Sequence, residues 1–289
     1  MKSFYIVTNR IKDKDFSVTR QIADYIRKHG KQCFLQQAFL KDQKRDSLCT
    51  DLSMISPEVD CIIVLGGDGT LLQTARDVVD RQIPLFAINL GTLGYLTEID
   101  HQSIYPALDH LMEGNYEIEQ RMMLHGSVYR GEEKLDQDIA LNDIVIVINR
   151  ENGLKVIELY TYVNHMQLNT YHADGIIIAT PTGSTGYSLS AGGPIISPTA
   201  ALFLMTPLAS HTLGSRSVVF PPEDEITIEI GPGRNEKIEE AVAYFDGDSR
   251  VPMLTRDRIK IRRSQKNTLI VKMHNNSFLQ TLSKKMSNV

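Results

Sequence analysis

Cysteine is scarce in this chain of 289 residues. Its three cysteines, Cys33, Cys49 and Cys61, are odd in number and lie far apart. They match neither the paired framework of a disulfide-rich secreted domain nor the close spacing of a zinc site. The composition therefore excludes a disulfide-stapled fold, and we expect a reducing, cytoplasmic environment.

Long apolar runs and an excess of positive charge are also missing. No uninterrupted apolar stretch approaches the roughly 20 residues of a membrane-spanning helix. Residues 1–9 lack the charged, apolar and cleavage regions of a signal peptide. The formal net charge is −4, whereas nucleic acids and anionic membranes attract a clearly basic surface. We therefore expect no nucleic acid and no membrane as a partner.

The remaining composition is that of an ordinary globular protein, with 42% apolar and 23% charged residues. The length allows one large domain or two ordinary ones, each with a substantial apolar core. The chain contains neither an internal repeat nor a low-complexity linker. The order of predicted strands and helices therefore has to indicate the domain boundary.

The first third of the chain alternates apolar, strand-like runs with helix-like segments. Strands are predicted at residues 4–8, 61–65 and 85–88, and helices at residues 71–79 and 103–112. Another helix is predicted to begin with Ser17 as its N-cap and to end at Gly30. This alternation indicates a Rossmann-like α/β domain over residues 1–120, with ligands at the carboxyl ends of its strands.

The pattern of predicted elements changes after about Arg121, where strand-like runs follow one another and long helices are scarce. The predicted strands are residues 122–129, 144–148, 156–163, 176–179, 226–230, 241–245 and 269–273. This pattern indicates a second, mainly-β domain over residues 121–274. A last helix is predicted at residues 278–285, and we expect residues from about 275 to 289 to pack back on the first domain.

A glycine-rich turn follows the apolar strand at residues 61–65. Gly66, Gly67 and Gly69 let the backbone bend tightly and approach a ligand, and Thr70 leads into the next helix. Backbone N–H groups in such a turn, and at a helix N-terminus, can bind phosphate oxygens. A carboxylate at Asp68 would repel phosphate unless it accepted a proton from an attacking hydroxyl or held a magnesium ion. The alternative is that Asp68 only caps the helix; we favour the phosphate site.

A second motif, residues 180–194, comes directly after the apolar run 176–179. The segment is rich in glycine and small hydroxyl residues, which predicts an ordered ligand-binding loop rather than a packed core element. Tyr187 offers a flat surface on which a base could stack. A plain surface loop is the alternative, but such loops seldom lie between apolar strands with an aromatic residue at their centre.

Together these two motifs resemble the NAD kinase family, part of a wider group of kinases that share the GGDGT turn. The resemblance extends along nearly the whole chain. Further similar segments are residues 89–96, 141–143, 172–175, 210–216 and 245–248. The turn alone indicates only the superfamily, whereas its combination with the loop 180–194 indicates an NAD kinase.

The resemblance implies a role for each matching residue. Asp68 would activate the 2′-hydroxyl of the adenosine ribose of NAD, and Asn142 and Asp143 would hydrogen-bond to the same part of NAD. Asp174 would reach the nicotinamide end in the site of a neighbouring subunit, because the family is oligomeric, which implies a homotetramer or homodimer. The donor phosphates would lie against Gly66, Gly67, Gly69 and Thr70. The adenine and ribose pocket would be lined by Tyr95, Thr182, Thr185, Gly186, Tyr187 and Ser190.

The implied reaction transfers the terminal phosphoryl group of ATP to NAD and makes NADP. Inorganic polyphosphate stays open as an alternative donor. Mg²⁺ or a similar hard divalent cation would accompany the phosphates, but the sequence does not indicate its ligands. Two other functions remain: a GGDGT-type lipid kinase acting on diacylglycerol or sphingosine, and a non-catalytic NAD(P) sensor. The hydroxyl-rich loop argues against a lipid substrate, and a sensor would have no need of Asp68.

Weaker signals leave alternatives open. The NAD kinase family usually has glutamate where this chain has Asp143, so a shorter carboxylate must reach further or use a water molecule. Asp246 and Asp248 flank Gly247 and are either metal ligands or part of a common Asp-Gly turn. Arg216 could pair with a phosphate or hold two loops together.

Overall fold

A computed structural model of the chain describes residues 1–35, 50, 52–91, 94–97, 99–149, 156–210, 215–273 and 278–287. Cys49, residues 92–93 of the segment 89–96 and residues 211–214 of the segment 210–216 lie outside these ranges. The strands are β1 (Ser3–Thr8), β2 (Gln32–Leu35), β3 (Cys61–Gly66), β4 (Leu85–Asn89), β5 (Glu117–Arg130), β6 (Glu133–Ala140), β7 (Asp143–Ile148), β8 (Ile157–Val163), β9 (Met166–Ala173), β10 (Gly175–Ala179), β11 (Phe203–Leu208), β12 (Val218–Phe220), β13 (Ile226–Ile230), β14 (Glu240–Phe245), β15 (Ser249–Leu254) and β16 (Arg258–Lys272). The helices are α1 (Ser17–Lys28), α2 (Asp68–Val78), α3 (Ile104–Glu113), α4 (Tyr187–Ser190) and α5 (Phe278–Ser287).

The chain divides into two compact units. The first contains Met1–Arg121 and Lys266–Val289, and the second contains Met122–Gln265. The boundaries fall inside the long strands β5 and β16, so α5 belongs to the first unit. No helix in the described ranges has the length and apolar character needed to cross a membrane.

The first unit is built on a parallel sheet. Its strands follow the order β2-β1-β3-β4, and the last part of β16 joins β4 through the parallel pair Ile270–Leu85. Every residue of β1, β3 and β4 is buried, as expected of parallel strands covered by helices. Helices α1 and α3 share one apolar core with these strands, and α2 contacts β3 and β4. The loops that leave β1, β3 and β4 therefore emerge at the same edge of the sheet.

The second unit contains two antiparallel arrays. One has the strand order β12-β11-β10-β7-β14-β15, and the other has β16-β13-β8-β9, with the hairpin β5–β6 joining it at β16. Inward-facing residues from both arrays form one apolar core, which makes this unit a β-sandwich. Strands β8 and β13 alternate buried and half-buried residues, because one of their faces lies on that core. The prediction of an α/β part followed by a mainly-β part is confirmed.

The start of α1 differs from the prediction in one detail. Ser17 is the first helical residue and not the N-cap, which is Phe16 at φ 57°. Asp13 takes over the capping role, since its carboxylate accepts the N–H groups of Val18 (3.3 Å) and Thr19 (2.9 Å) and the Thr19 hydroxyl (2.6 Å). A carboxylate satisfies first-turn N–H groups and also complements the positive end of the helix dipole.

Candidate active site

Asp68 lies in the first turn of α2, directly after β3. Its carboxylate does not cap the helix, because the N-cap is Gly67 and makes no side-chain cap bond. Instead, the carboxylate accepts four hydrogen bonds from the loop after β4. Oδ2 accepts the N–H of Tyr95 (2.8 Å), and Oδ1 accepts the N–H of Leu96 (3.2 Å) and both the N–H (3.1 Å) and the hydroxyl (3.0 Å) of Thr97. The helix-capping alternative for Asp68 is therefore wrong.

The four donors fix the orientation of the Asp68 carboxylate. A carboxylate offers about four acceptor positions over its two oxygens. Because Oδ1 takes three of the four bonds and Oδ2 only one, Oδ2 keeps acceptor capacity for a further hydroxyl group. Gly94 makes the close approach feasible, since a Cβ atom at this position would overlap the Asp68 carboxylate.

The glycine turn itself presents backbone to solvent. Gly67 and Asp68 are partly exposed and Gly69 is exposed, so a ligand can reach the first N–H groups of α2, which have no partner within the helix. Thr70, in contrast, is buried, and its Oγ1 accepts a hydrogen bond from Asn9 Nδ2 at 3.0 Å. The Thr70 hydroxyl thus ties the loop after β1 to the start of α2.

Tyr95 contacts the C-terminal helix. The ammonium group of Lys285, on α5, lies 5.1 Å from the centre of the Tyr95 ring, within the range of a cation–π interaction. An adenine stacking on Tyr95 would therefore have to use the opposite face of the ring.

Asn142, Asp143 and the loop after β10 meet at one edge of a sheet in the second unit. β7 begins at Asp143, which pairs with Ala179 at the end of β10. The next residue of β7, Ile144, pairs with Phe245 at the end of β14. Because β7 runs antiparallel to both neighbours, its start lies beside the loop after β10 and the turn after β14.

The turn after β14 holds the Asn142 segment in place. Asp246 and Gly247 both have positive φ, 51° and 76°, as a tight hairpin turn requires. The Asp246 carboxylate accepts the backbone N–H groups of Leu141 (2.8 Å), Asn142 (2.7 Å) and Asp143 (3.2 Å). The turn interpretation of Asp246 is confirmed. No group of three or more His, Cys, Asp and Glu residues suited to a metal ion occurs in the ranges that the structure describes.

Asp143 is buried and Asn142 is half-buried, and each has an unusual polar group. Asp143 is 6% exposed; its burial, together with the negative charge of Asp246, raises the pKa of its carboxyl group to about 7. This carboxyl group can therefore donate as well as accept a hydrogen bond near neutral pH. The Oδ1 atom of Asn142 is buried and has no hydrogen-bond partner among the described residues, so a ligand donor could satisfy it.

The hydroxyl-rich loop 180–194 is packed into the protein, contrary to the expectation from its composition. Thr180, Ser184 and Ser188 are fully buried. Thr180 Oγ1 donates to the Leu141 carbonyl (2.6 Å), and Ser184 Oγ donates to the Pro181 carbonyl (2.7 Å). These hydroxyls hold the loop together, because a segment with few apolar side chains needs internal hydrogen bonds when it is buried.

Other residues of the same loop differ in their exposure. Thr182 is buried, Thr185 and Gly186 are partly buried, and Tyr187 and Ser190 are exposed. A Cβ atom added to Gly186 in ideal geometry would lie 3.4 Å from Asn142 Nδ2 and 3.8 Å from Asp143 Oδ2. The loop and the Asn142 segment are therefore adjacent. The structure therefore brings Asn142, Asp143 and Gly186 together.

Asp174 and Tyr187 line one cavity of about 420 Å³ in the second unit, together with Asn149, Ala209 and Tyr244. The family resemblance had placed these two residues in the sites of different subunits. Within a single chain they face the same space. Arg216 is exposed, and its guanidinium donates only a long bond, 3.4 Å, to the Ser215 carbonyl in the described structure.

Comparison with known proteins finds matches along nearly the whole chain. Residues 4–116 match the family of ATP-NAD kinase N-terminal domains, and residues 141–273 match that of ATP-NAD kinase C-terminal domains. The chain is 46% identical to an NAD kinase of Lachnospira eligens, over 99% of this chain and 100% of the relative. It is 44% identical to an NAD kinase of Agathobacter rectalis, over 100% and 99% of the two chains.

Solved structures of low identity share the fold. A yeast NADH kinase complexed with NADH superimposes with a TM-score of 0.81 at 23% identity, covering 99% of this chain and 88% of the yeast chain. An NAD kinase from Archaeoglobus fulgidus in complex with ATP gives a TM-score of 0.75 at 24% identity, with both chains covered completely. Since both family models and relatives over the full length agree, the chain belongs to the NAD kinase family.

Proposed function

We propose that the chain transfers the terminal phosphoryl group of ATP to the 2′-hydroxyl of the adenosine ribose of NAD, giving NADP. One observation carries this assignment: Asp68 stands at the phosphate-binding turn with its carboxylate held by four donors and Oδ2 still able to accept a hydroxyl. An enzyme needs an oriented base at this place, whereas a sensor does not. Neither alternative, the lipid kinase or the NAD(P) sensor, is favoured by the family match.

Phosphoryl transfer depends mainly on positioning and on neutralising charge. Asp68 accepts the proton of the 2′-hydroxyl as that oxygen attacks the terminal phosphorus, and the bond to the bridging oxygen of the donor breaks. Backbone N–H groups of Gly67, Gly69 and the first turn of α2 bind the phosphate oxygens. The rigid orientation of Asp68 reduces the reorganisation needed to reach the transition state.

NAD recognition is assigned to the second unit. Asn142 Oδ1 accepts a hydrogen bond from the adenosine part of NAD, and Asp143 contacts the ribose or adenine through its buried carboxyl group. Tyr187 and Ser190, both exposed, and Thr185 and Gly186 line the pocket, while buried Thr182 supports it from behind. Asp174 reaches the nicotinamide end.

A divalent cation is part of this proposal. The described residues contain no cluster that would form an all-protein metal cage. Mg²⁺ in phosphoryl-transfer enzymes is usually held by one or two carboxylates together with substrate phosphates, and the site fits that pattern. When bound, Mg²⁺ would neutralise phosphate charge with the donor phosphates as its ligands, because the remaining acceptor position of Asp68 Oδ2 is assigned to the 2′-hydroxyl.

The test is a direct assay. The purified chain is incubated with NAD, ATP and Mg²⁺, and NADP is followed with a dehydrogenase that accepts NADP but not NAD. We expect NADP from the wild type and a loss of kcat of at least about 100-fold in Asp68→Asn. The affinity of Asp68→Asn for NAD should stay within about threefold of the wild type. Asp24→Asn, the same substitution on the exposed face of α1, is the matched control.

Each outcome distinguishes the hypotheses. Near-normal turnover in Asp68→Asn would remove Asp68 from the mechanism. If the folded wild type binds NAD but makes no NADP with ATP, polyphosphate is tested next as donor. Failure of both donors would favour the sensor, and phosphorylation of diacylglycerol or sphingosine would favour the lipid kinase.

Three further assignments also remain proposals. A role in NADP biosynthesis follows from the proposed product. A homodimer or homotetramer and a cytoplasmic location are predicted from the resemblance and the cysteine content. Cys33 and Cys61 are buried and are not in disulfides, which is consistent with a reducing compartment.

A further inference from the structure

Lys12 lies beside the glycine turn, on the loop between β1 and α1. A Cβ atom added to Gly67 in ideal geometry would lie 2.9 Å from Lys12 Nζ, and one added to Gly91 would lie 3.1 Å from the same atom. Gly67 follows β3 and Gly91 follows β4, and these strands are parallel neighbours. The ammonium group therefore spans the two loops that leave adjacent strands at the carboxyl edge of the sheet, where ligands of α/β proteins bind.

The Lys12 backbone is held at both ends of its loop. The N–H of Lys12 donates to the carbonyl oxygen of Asn9 (3.1 Å) and to its side-chain Oδ1 (3.2 Å). Asn9 in turn donates from Nδ2 to Thr70 Oγ1 (3.0 Å), which joins the loop to the first turn of α2. On the other side, Asp13 caps α1 through Thr19. The loop thus places Lys12 at the glycine turn by defined contacts.

The ammonium group of Lys12 has no acidic partner within the described part of the chain. The Asp68 carboxylate is bound instead by the loop after β4. A lysine that approaches backbone glycines without an acidic partner is suited to an anionic ligand, and lysine binds phosphate as a compact point charge.

We propose that Lys12 is a donor-binding residue whose ammonium group contacts the terminal phosphates of the donor at the glycine turn. This inference rests on the proposed function, because it needs a polyphosphate group at that turn. Lys12 adds positive charge where the backbone N–H groups supply only partial charges, and it offsets the charge that gathers on the phosphate oxygens during transfer. It acts on the phosphates and not on the adenosine of the donor.

Kinetics of three variants test the proposal. Lys12→Met should lower kcat/KM for ATP by about 10- to 100-fold, while KM for NAD stays within about twofold of the wild type. Lys12→Arg keeps the charge and should retain most of the activity. Lys14→Met, an exposed lysine of the same loop, is the matched control and should behave like the wild type. Tripolyphosphate, used as a competitive inhibitor against ATP, should lose affinity in Lys12→Met by a similar factor.

The outcomes separate this inference from the function on which it rests. If the wild type makes no NADP, the proposed function itself fails. If the wild type is active and Lys12→Met keeps its kcat/KM for ATP and its affinity for tripolyphosphate, the role of Lys12 is overturned. A parallel rise in KM for NAD with a lower melting temperature would instead assign Lys12 a structural role. Equal losses of kcat/KM for ATP in Lys12→Met and Lys14→Met would mean that only the total charge of the loop matters. That result would also overturn the inference.

Discussion

Thr97 binds the Asp68 carboxylate twice, through its backbone N–H at 3.1 Å and its hydroxyl at 3.0 Å, and both bonds end on Oδ1. Thr97 is fully buried, so water cannot replace its hydroxyl. This arrangement leaves Oδ2 as the oxygen with acceptor capacity. In the proposed reaction, the orientation of the Asp68 carboxylate therefore depends on a residue that does not itself touch the substrate.

Substitution of Thr97 tests this dependence. Thr97→Val keeps the volume and the N–H bond but removes the hydroxyl, so the Asp68 carboxylate loses one of its four donors. A hydrogen bond to a charged group contributes about 1.5–3 kcal/mol, so we expect kcat to fall by about tenfold or more. Both KM values should change little, because the substrates' own contacts are kept. Thr97→Ser retains the hydroxyl; equal kcat values for the two variants would contradict the positioning role.

Gly94→Ala tests the same contact from the backbone side. A Cβ atom at this position overlaps the Asp68 carboxylate, so either the loop after β4 or the carboxylate has to move. We expect kcat to fall by about 100-fold with a folded protein, since a small misplacement of a reacting group is costly. Steady-state kinetics with a circular dichroism spectrum checks this. A folded Gly94→Ala with a kcat close to that of the wild type would contradict the orienting role of this contact.

Thr180→Val tests the packing of the hydroxyl-rich loop. The Thr180 hydroxyl donates to the Leu141 carbonyl at 2.6 Å and accepts the N–H of Gly183 at 3.1 Å, in a fully buried position. Valine has nearly the same shape but leaves both backbone groups without their partner, at about 1–3 kcal/mol for each buried group. We expect a lower melting temperature and a KM for NAD raised by about fivefold or more, since the Leu141–Asp143 segment is disturbed. Thr180→Ser should be close to wild type, and a stable Thr180→Val with normal KM would argue against this role.

Much of the first unit could be predicted from sequence, and the reason is physical. β1, β3 and β4 are buried on both faces, so each is a short, continuously apolar run that ends at a glycine or polar turn. β6 and β9 were not predicted, because most of their residues are exposed and the apolar signal is weak. Edge strands of this kind are defined by hydrogen bonding to a neighbour and not by their own burial.

The candidate site shows the same limit. The GGDGT turn identified Asp68, since its residues are consecutive. The contacts that orient the site join distant parts of the chain: Thr97 lies 29 residues after Asp68, and Asp246 lies 105 residues after Leu141, whose N–H it accepts. Such pairs form only when separate strands end at one edge of a sheet, and no local pattern in the sequence records them. The sequence does not predict Lys12 as a site residue for the same reason, because Gly67 and Gly91 approach it from two separate loops.

The last prediction concerns pH. The carboxyl group of an aspartate has an ordinary pKa of 3.8, and burial together with the negative charge of Asp246 raises the pKa of Asp143 to about 7 in the folded protein. Between these values the folded chain holds a proton that the unfolded chain has released. The contribution of Asp143 to stability is therefore complete below about pH 4, falls as pH rises towards 7, and is lost above it.

Asp143→Asn removes this titration, because the amide carries no charge at any of these pH values. We expect the melting temperature of Asp143→Asn, relative to wild type, to rise by about 2–4 °C between pH 5 and pH 8.5 at constant ionic strength. Asp24→Asn, at an exposed position, should show a difference that does not change with pH. A constant difference for Asp143→Asn as well would mean that Asp143 does not titrate between pH 5 and pH 8.5, which would contradict a pKa raised to about 7 by burial and by the charge of Asp246.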